Sequence, residues 1–247
     1  MTAQRWRLVL ARTADAPDLG SRELLAAWTT ALEEAGLRDT AGADPARLVP
    51  GAPIPVGLTG DAELADLFLP ERRTAADVRA RLRAHLPAGY RLVDLHDVWP
   101  GEPPLPGLVV AGDYRVDIAA RVEAAPGEGP ASGPAADDRA PASLAAPDAA
   151  ALRNAVATFL AADMIERVRS RPERAAAANL RPLVTDIRVL SDHRLWMRLR
   201  FDPALGTGRP DEVVTALGSL AGRAFVAVRR HRERLWLKGE EPGPPPA

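Results

Sequence analysis

The sequence predicts an α+β fold built from two ferredoxin-like (βαββαβ) modules, the second a duplicate of the first. Three observations predict it. Apolar segments follow one another in the order β-α-β-β-α-β in each half, and a stretch rich in proline, alanine and glycine interrupts the second half. The 247 residues, 47% of them hydrophobic, suffice for two small cores.

The first half supplies a strand, a helix and two extended segments. Residues 5–12 alternate large apolar side chains with arginines, which is typical of a strand with one covered face. The stretch SRELLAAWTTALEEAG predicts a helix with Ser21 as its N-cap and Gly36 at its end. Extended segments follow at 46–58, where prolines favour an edge strand, and at 62–70.

A second helix and a last strand complete the first module. Thr74 and Asp77 take positions resembling a capping box at the start of TAADVRARLRAHLP, and the helix ends before Pro87. Residues 90–99 predict a strand. We assign residues 1–105 to this N-terminal module.

The second half repeats the order, and residues 106–238 form the predicted C-terminal module. A strand at 113–122 precedes a helix in DAAALRNAVATFLAAD. The helix RPDEVVTALG has Pro210 in its first turn and Gly218 at its stop. Strands are predicted in four further stretches, MIERVRS, LRPLVTDIRVL, HRLWMRLRF and FVAVRRHRERLWLK, the last giving one or two strands.

The sequence predicts disorder in two segments. Residues 124–150 consist almost entirely of Pro, Ala, Gly and acidic residues, so they have little apolar surface to offset the entropy lost on ordering. They form a predicted disordered loop inside the second module. The tail, residues 239–247, is predicted to be disordered for the same reason.

The composition excludes several kinds of chemistry. The chain contains no cysteine, which excludes a disulfide framework, a thiolate zinc site, a cysteine nucleophile and an iron–sulfur cluster of the usual kind. Its four histidines show no metal-binding spacing, so we expect neither a metal nor a cofactor. No signal peptide and no long apolar run is visible, which favours a cytoplasmic protein without a membrane contact.

The charges are unevenly distributed. From position 151 onward the chain has seventeen basic and eleven acidic residues, whereas positions 1–150 have fifteen basic and twenty-two acidic ones. A basic second half favours an anionic partner. The alternative is that arginine merely replaces lysine on ordinary solvated faces, since Lys238 is the chain's one lysine.

Three stretches, in order, carry a family resemblance: AGADPARLVPGAPIPVGLTGDAELADLFL, NLRPLVTDIRVL and GRPDEVVTALG. The chain resembles the radical-SAM-associated proteins, which occur as separate chains or fused to B12-binding radical-SAM proteins. The likeness spans nearly the whole chain apart from the loop and tail. Its most specific positions are Pro53, Pro55 and Gly57, then Arg181 with Pro182, and Arg209 to Val213.

The resemblance implies an accessory role beside a radical-SAM protein. The chain cannot itself perform radical-SAM chemistry, because that chemistry needs a cluster held by cysteine thiolates. It also departs from the family pattern after the first strand, where PDLGSRELLAAW lacks the family's Ser-His-Leu-Asp-like histidine. No catalytic residue is therefore assigned.

Two arginines next to prolines are candidate anion-binding residues. Arg181 precedes a proline, which favours an extended backbone at a strand entry. Arg209 precedes a predicted helix, whose free N–H groups favour a phosphate. The alternative pairs Arg181 with Asp186 and Arg209 with Asp211 as ordinary surface ion pairs.

The stretch HRLWMRLRF extends this predicted surface. Arg194, Arg198 and Arg200 alternate with apolar residues, and Trp196 shares their face, as in surfaces that stack single-stranded bases among cations. Alternatively, Trp196 packs beneath a helix and the arginines extend past it.

The leading hypothesis is a non-catalytic accessory protein that binds RNA, either tRNA or rRNA, with no evident preference for DNA. An alternative is a scaffold for a radical-SAM partner without nucleic acid. A third hypothesis is a ferredoxin-like RNA endonuclease with His193 or His231 as general acid or base.

Overall fold

The computed structural model describes residues 4–37, 46–122, 143–167 and 179–246. It shows a mixed α/β chain with a large, mostly antiparallel sheet, and the described residues contain five α-helices. The chain divides into two compact units. Unit 1 takes positions 1–115, 200–202 and 230–244, and unit 2 takes 116–199, 203–229 and 245–247.

The first part of the chain contains four strands and three helices. In chain order these are β1 (Gln4–Arg12), α1 (Ser21–Glu34), β2 (Arg47–Pro50), β3 (Leu58–Leu69), α2 (Ala75–His85), β4 (Tyr90–Val98) and the single-turn α3 (Leu105–Leu108). The order β-α-β-β-α-β predicted for this part is the order found up to the end of β4.

The remaining elements are β5 (Val109–Val122), β6 (Ser143–Ala145), α4 (Ala149–Ala161), β7 (Val184–Ser191), β8 (Arg194–Asp202), β9 (Gly206–Thr207), α5 (Pro210–Leu220) and β10 (Phe225–Leu237). Strands β5 and β10 each contribute residues to both units. The sequence predicted one or two strands in the stretch FVAVRRHRERLWLK, and the structure shows one.

In unit 1, β1 pairs antiparallel with both β3 and β4, so Leu8 lies opposite Ala65 on one side and Leu95 on the other. β2 pairs antiparallel with the end of β3, and β10 pairs parallel with its beginning. Helices α1 and α2 cover one face of this sheet. Their apolar stripes bury Trp28, Leu32, Val78 and Leu82 in its core.

In unit 2, the strand order is β10-β5-β8-β7, and β6 pairs with the end of β5. Helix α4 packs against α5 and β7. Its apolar stripe buries Leu152 and Phe159, and the α5 stripe buries Val213 and Leu217.

The ends of the helices confirm one predicted cap and correct two other predictions. Thr74 accepts a hydrogen bond from the Asp77 N–H at 3.2 Å, as its position predicts. Gly20 is the N-cap of α1, and Ser21 is the first helical residue. Gly218 does not end α5: a Cβ there would lie 2.7 Å from the Arg223 carbonyl oxygen, so close packing explains the glycine.

Three predicted segments differ from the structure. The predicted disordered loop reached residue 150, but residues 143–145 form β6 and Asp148 caps α4 through the N–H groups of Ala150 and Ala151. The stretch MIERVRS forms an isolated bridge between Glu166 and Asn179, and its residues 168–170 lie outside the described part. The rest of the predicted loop, 124–142, and the family stretch 41–45 also lie outside it.

Candidate functional site

Arg181 is used inside unit 2. It begins a 3-10 turn, Arg181–Leu183, instead of the predicted strand entry. Its guanidinium donates to the carbonyl oxygens of Val184 at 2.7 Å and Leu160 at 3.1 Å. Asp186, the alternative partner, accepts from Arg188 instead at 2.9 Å. Arg181 therefore ties helix α4 to the start of β7, which leaves it few donors for a phosphate.

Trp196 is not a surface ring. Its side chain is 1% exposed, so a base cannot stack on it in this structure. The Arg198 guanidinium lies 5.2 Å from the centre of the Trp196 ring and is buried too. Both faces of β8 are therefore covered at these positions, and the predicted stacking surface is corrected to a buried cation–π contact.

Arg194 is partly exposed and bound to a carboxylate. Its Nε and Nη2 donate to Asp117 at 2.5 and 3.2 Å. This hydrogen-bonded contact lowers the pKa of Asp117, against the opposing effect of burial, and raises the pKa of Arg194. An arginine held in this way is neutralised by a carboxylate of the neighbouring strand β5 and does not present a free cation.

The two remaining arginines are exposed. Arg200 approaches the Asp202 carboxylate at 3.7 Å. Arg209 is the N-cap residue of α5, as predicted, and no residue in the described ranges pairs with its side chain. The neighbouring Glu212 binds the buried Arg167 at 2.8 Å. Of the six predicted RNA-binding residues, Arg194, Arg200 and Arg209 thus keep guanidinium groups at the surface, and the first two have a carboxylate partner.

The two histidines of the endonuclease hypothesis lie in different settings. His193 is exposed in the turn between β7 and β8. His231 lies between two partners, with Nδ1 2.9 Å from Thr59 Oγ1 and Nε2 2.9 Å from Asp61 Oδ2. Both nitrogens of His231 are therefore engaged within unit 1.

Unit 1 contains a buried charge cluster that the sequence did not reveal. Arg5 and Arg7, predicted on an open strand face, both bind the fully buried Asp66 carboxylate, at 2.9 Å from Arg5 Nε and 2.9 Å from Arg7 Nε. Two guanidiniums on one carboxylate need a further acceptor. Glu102 provides it, 3.5 Å from Arg7 Nη1.

The cluster fixes a short loop, residues 99–104, which we call the Trp99 loop. Arg5 donates to the carbonyl oxygens of Glu102 at 2.6 Å and Pro103 at 2.9 Å, and the Glu102 N–H donates to the Trp99 carbonyl at 3.0 Å. The indole stands over Gly101, where a Cβ would lie 2.4 Å from the ring. This loop is therefore rigid.

Trp99 itself is 75% exposed, the most exposed large apolar side chain among the described residues. Single exposed apolar side chains are common on protein surfaces, so the exposure of Trp99 distinguishes it only together with the hydrogen-bonded loop that holds the indole. The sequence signal was the indole between a strand and the turn residues PGEPP. Periodicity alone could not separate it from the last residue of the strand.

A second buried ion pair contacts the Pro-x-Pro-x-Gly stretch formed by Pro53, Pro55 and Gly57. Arg232 binds the Glu63 carboxylate, with Nε to Oε1 at 2.8 Å, and donates to the Pro53 carbonyl at 3.2 Å. Burial disfavours the charged form of Arg232, but Glu63 and Tyr114 together outweigh burial and raise its pKa. Gly57 has φ 73° and donates its N–H to Asp18 at 3.0 Å, which explains the glycine.

These features define a mixed α/β protein with arginine–carboxylate pairs inside unit 1. Within the described ranges, no group of His, Asp or Glu side chains could hold a metal ion, and no helix is long and apolar enough to cross a membrane. The chain belongs to the family described as "Uncharacterized protein conserved in bacteria (DUF2344)", whose model matches residues 5–212. No curated protein matches the sequence.

Three solved structures are weakly similar. An archaeal box H/ACA sRNP Nop10–Cbf5 complex is 10% identical with a TM-score of 0.37, covering 91% of this chain and 46% of that one, so this chain spans about half its length. An unknown protein from Galdieria sulphuraria is 14% identical (TM-score 0.24, coverage 95% and 98%). A Cas6 product complex is 15% identical (TM-score 0.25, coverage 92% and 95%).

Similarities this weak carry no information about the function of this chain. None of these descriptions mentions a radical-SAM protein. The radical-SAM association therefore stays a prediction.

Proposed function

We propose that the protein is a non-catalytic interaction module that contacts a partner protein through Trp99. The observation that carries the proposal is the rigid presentation of this exposed indole. Tryptophan is among the residues that contribute most to protein interfaces, especially where the free protein already holds the side chain in place. The Trp99 loop meets both conditions.

The cost of building the loop supports a role in binding. Burying Arg5, Arg7 and Asp66 requires removing three charges from water, which a well-packed apolar cluster would avoid. What the cluster provides in return is the hydrogen bonding that fixes the carbonyl groups of Glu102 and Pro103. A side chain held in place before binding loses little entropy when a partner docks, so this hydrogen bonding favours a role in recognition.

The charges around the loop favour a protein over RNA. Asp97 lies two residues before Trp99, the Glu102 carboxylate is paired with Arg7, and positions 1–150 carry more acidic than basic residues. Phosphates are repelled by such a surface. The resemblance to radical-SAM-associated proteins makes a radical-SAM protein the partner that we propose first.

We also propose that the two units are ferredoxin-like modules. In unit 1 the elements follow one another along the chain as β1-α1-β2-β3-α2-β4, and the strands lie in the sheet in the order β4-β1-β3-β2. In unit 2, apart from two short extra strands, the elements follow one another along the chain as β5-α4-β7-β8-α5-β10. The strands lie in the sheet in the order β10-β5-β8-β7. The same connectivity in both units supports duplication of one ferredoxin-like plan.

The test is complex formation between the purified chain and the radical-SAM protein of the same cells, after RNase treatment. Because a buried tryptophan anchor contributes about 2 kcal/mol or more, Trp99→Ala should weaken the complex about 30-fold. Val93→Ala, at another exposed apolar residue of unit 1, is the control and should change little. Equal affinity for the Trp99→Ala and wild-type chains would refute the role of Trp99.

RNA binding is the second candidate, because Arg209, at the start of α5 in the basic half, keeps an exposed guanidinium with no partner among the residues that the structure describes. The test is the anisotropy of labelled tRNA and an unrelated RNA over a salt series. This function would be established if the affinity for RNA falls steeply with salt and if Arg209→Ala and Arg200→Ala lower it further while Arg181→Ala does not. No binding at low salt would exclude it.

A further inference from the structure

A surface cavity lies in unit 1 where the chain turns from α2 into β4, and we call it the α2–β4 cavity. Its volume is about 550 Å³, within the range of small-molecule sites. The described residues that line it include Arg83 and Arg91 but no acidic side chain. The cavity is therefore a basic site in the acidic half of the chain.

The two arginines of the cavity have no counter-ion. Both side chains are exposed, and within the described ranges neither makes a hydrogen bond, an ion pair or a ring contact. The preceding arginines of α2 are engaged, since Arg79 donates to Asp94 at 3.2 Å and Arg81 donates to Asp77 at 2.7 Å. Arg83 and Arg91 thus keep their donors for another acceptor.

The pairing of α2 with β4 brings the two arginines to one place. Helix and strand pack together and run in opposite directions, because only residues 86–89 connect them. Arg83 follows Arg79 by one helical turn. Asp94 lies opposite Val9 and Arg91 opposite Ala11, two residues apart on β1, so Asp94 and Arg91 leave the same face of β4.

The strand therefore supplies an arginine where the previous helical turn meets a carboxylate. Asp94 shows that a side chain from this face of β4 reaches α2. One turn further on, Arg83 meets Arg91 at the cavity instead. Two like charges on facing elements repel each other, and an anion bound between them removes that repulsion.

The turn that forms the floor of the cavity is fixed before anything binds. The Tyr90 N–H donates to the Pro87 carbonyl at 3.0 Å, and the Gly89 carbonyl accepts from the Thr13 N–H at 2.9 Å. Gly89 has φ 74°, and a Cβ there would lie 2.3 Å from the Ala16 Cα, so the turn requires a glycine. A cavity that is already formed lowers the cost of binding.

The number of charges selects the ligand. Two guanidiniums without an acid match a group that carries two negative charges, and the guanidinium fork suits phosphate oxygens. A phosphate monoester carries between about 1.5 and 2 charges near neutral pH. Leu86 and Val93 also line the cavity, and Val93 is 41% exposed, so an organic group has apolar surface to contact.

We propose that the α2–β4 cavity binds the phosphate group of a small phosphate monoester between Arg83 and Arg91, with the organic part against Leu86 and Val93. This site goes beyond the contact with a partner protein. It adjoins the start of β4, whereas Trp99 follows the end of that strand.

The experiment is an amide NMR titration of the full chain at low salt and at about pH 8, where a phosphate monoester carries close to two charges. The ligands are phenyl phosphate, its singly charged methyl ester and neutral benzyl alcohol. Phenyl phosphate should shift amides within residues 83–93 saturably, and the methyl ester should bind about tenfold more weakly. Benzyl alcohol should not saturate.

Two results of this titration would overturn the proposal. One is the absence of saturable shifts within residues 83–93 on addition of phenyl phosphate. The other is equal binding of the methyl ester, which would point to a phosphodiester such as a nucleic-acid backbone.

Two variants locate the phosphate. Arg83→Gln and Arg91→Gln each remove one guanidinium from an exposed position and should weaken phenyl phosphate about tenfold, the loss expected for a charged hydrogen bond. Arg72→Gln is the matched control, because Arg72 is exposed and lies outside the cavity. If all three variants bind phenyl phosphate equally well, the two arginines do not hold the phosphate and the proposal is wrong.

Arg91→Glu separates ligand binding from folding. The introduced carboxylate can pair with Arg83 as Asp94 pairs with Arg79, so the urea midpoint should not fall. Binding of phenyl phosphate should be lost, because the variant replaces an attractive charge with a repulsive one. A variant that still binds phenyl phosphate like wild type would overturn the role of Arg91.

Discussion

Two sites, one in each unit, place tryptophan and arginine in opposite ways. At the Trp99 loop of unit 1, Arg5 and Arg7 are buried and the indole is exposed, whereas in β8 of unit 2 Trp196 is buried and Arg194 reaches the surface. The difference shows what each charge does. Buried guanidiniums fix backbone carbonyl groups, and the surface guanidinium only pairs with a neighbouring strand.

This contrast separates stability from recognition. A residue inside a covered sheet contributes through packing, so its removal leaves a cavity. A residue presented in water contributes little to folding, so its presence needs another reason. The following predictions test the contrast, beginning with the largest expected effect.

The largest effect is expected for Asp66→Asn. The substitution leaves the Arg5 and Arg7 guanidiniums buried without their carboxylate, which should lower the free energy of unfolding by about 5 kcal/mol, the upper end for a broken buried pair. The measurement is urea unfolding, with hydrogen exchange of residues 99–104 to detect release of the loop. Asp94→Asn, which breaks the surface pair with Arg79, is the control and should change little.

Trp196→Ala comes next. Because the ring is 1% exposed and contacts Arg198, its removal should cost about 3–5 kcal/mol and expose β8 amides to exchange. The variant is followed by urea unfolding and hydrogen exchange. Near-wild-type stability would mean that the ring is not buried in solution, and would restore it as a stacking residue.

Local signals account for what the sequence predicted well. Helix α2 begins where Thr74 stands directly before an apolar stripe, and its cap forms. Strands β1, β4 and β8 follow short-range alternation or apolar runs. Each of these decisions depends on residues within one turn or a few positions of each other.

Burial of the arginines depends on distant residues. Alternation along β1 and β8 shows two faces but not whether the polar face meets water, and here both faces are covered. Arg5 is 61 positions from Asp66 and 97 from Glu102. No local pattern announces such a partner, which is why Arg198 and Trp196 were placed at the surface.

A smaller and pH-dependent effect is expected for Asp117→Asn. Its contact with Arg194 lowers the pKa of Asp117 below the ordinary 3.8, so the ion pair stabilises unit 2 above that value and its contribution is lost as the pH falls through the folded-state pKa. Urea midpoints of wild type and variant should differ slightly at pH 7 and converge as the pH falls below 3.8. Asp192→Asn, at the more exposed pair with Arg153, should show a still smaller difference.

The smallest effect on folding is expected for Trp99→Ala. Since the indole is 75% exposed and the loop's hydrogen bonds come from Arg5, stability should change by no more than about 0.5 kcal/mol. Urea unfolding provides the measurement, and hydrogen exchange should find residues 99–104 still protected. A loss of several kcal/mol would place the ring in the core of unit 1 and remove the argument for its role in recognition. An unchanged fold that no longer holds its partner would mean that Trp99 is kept for binding alone.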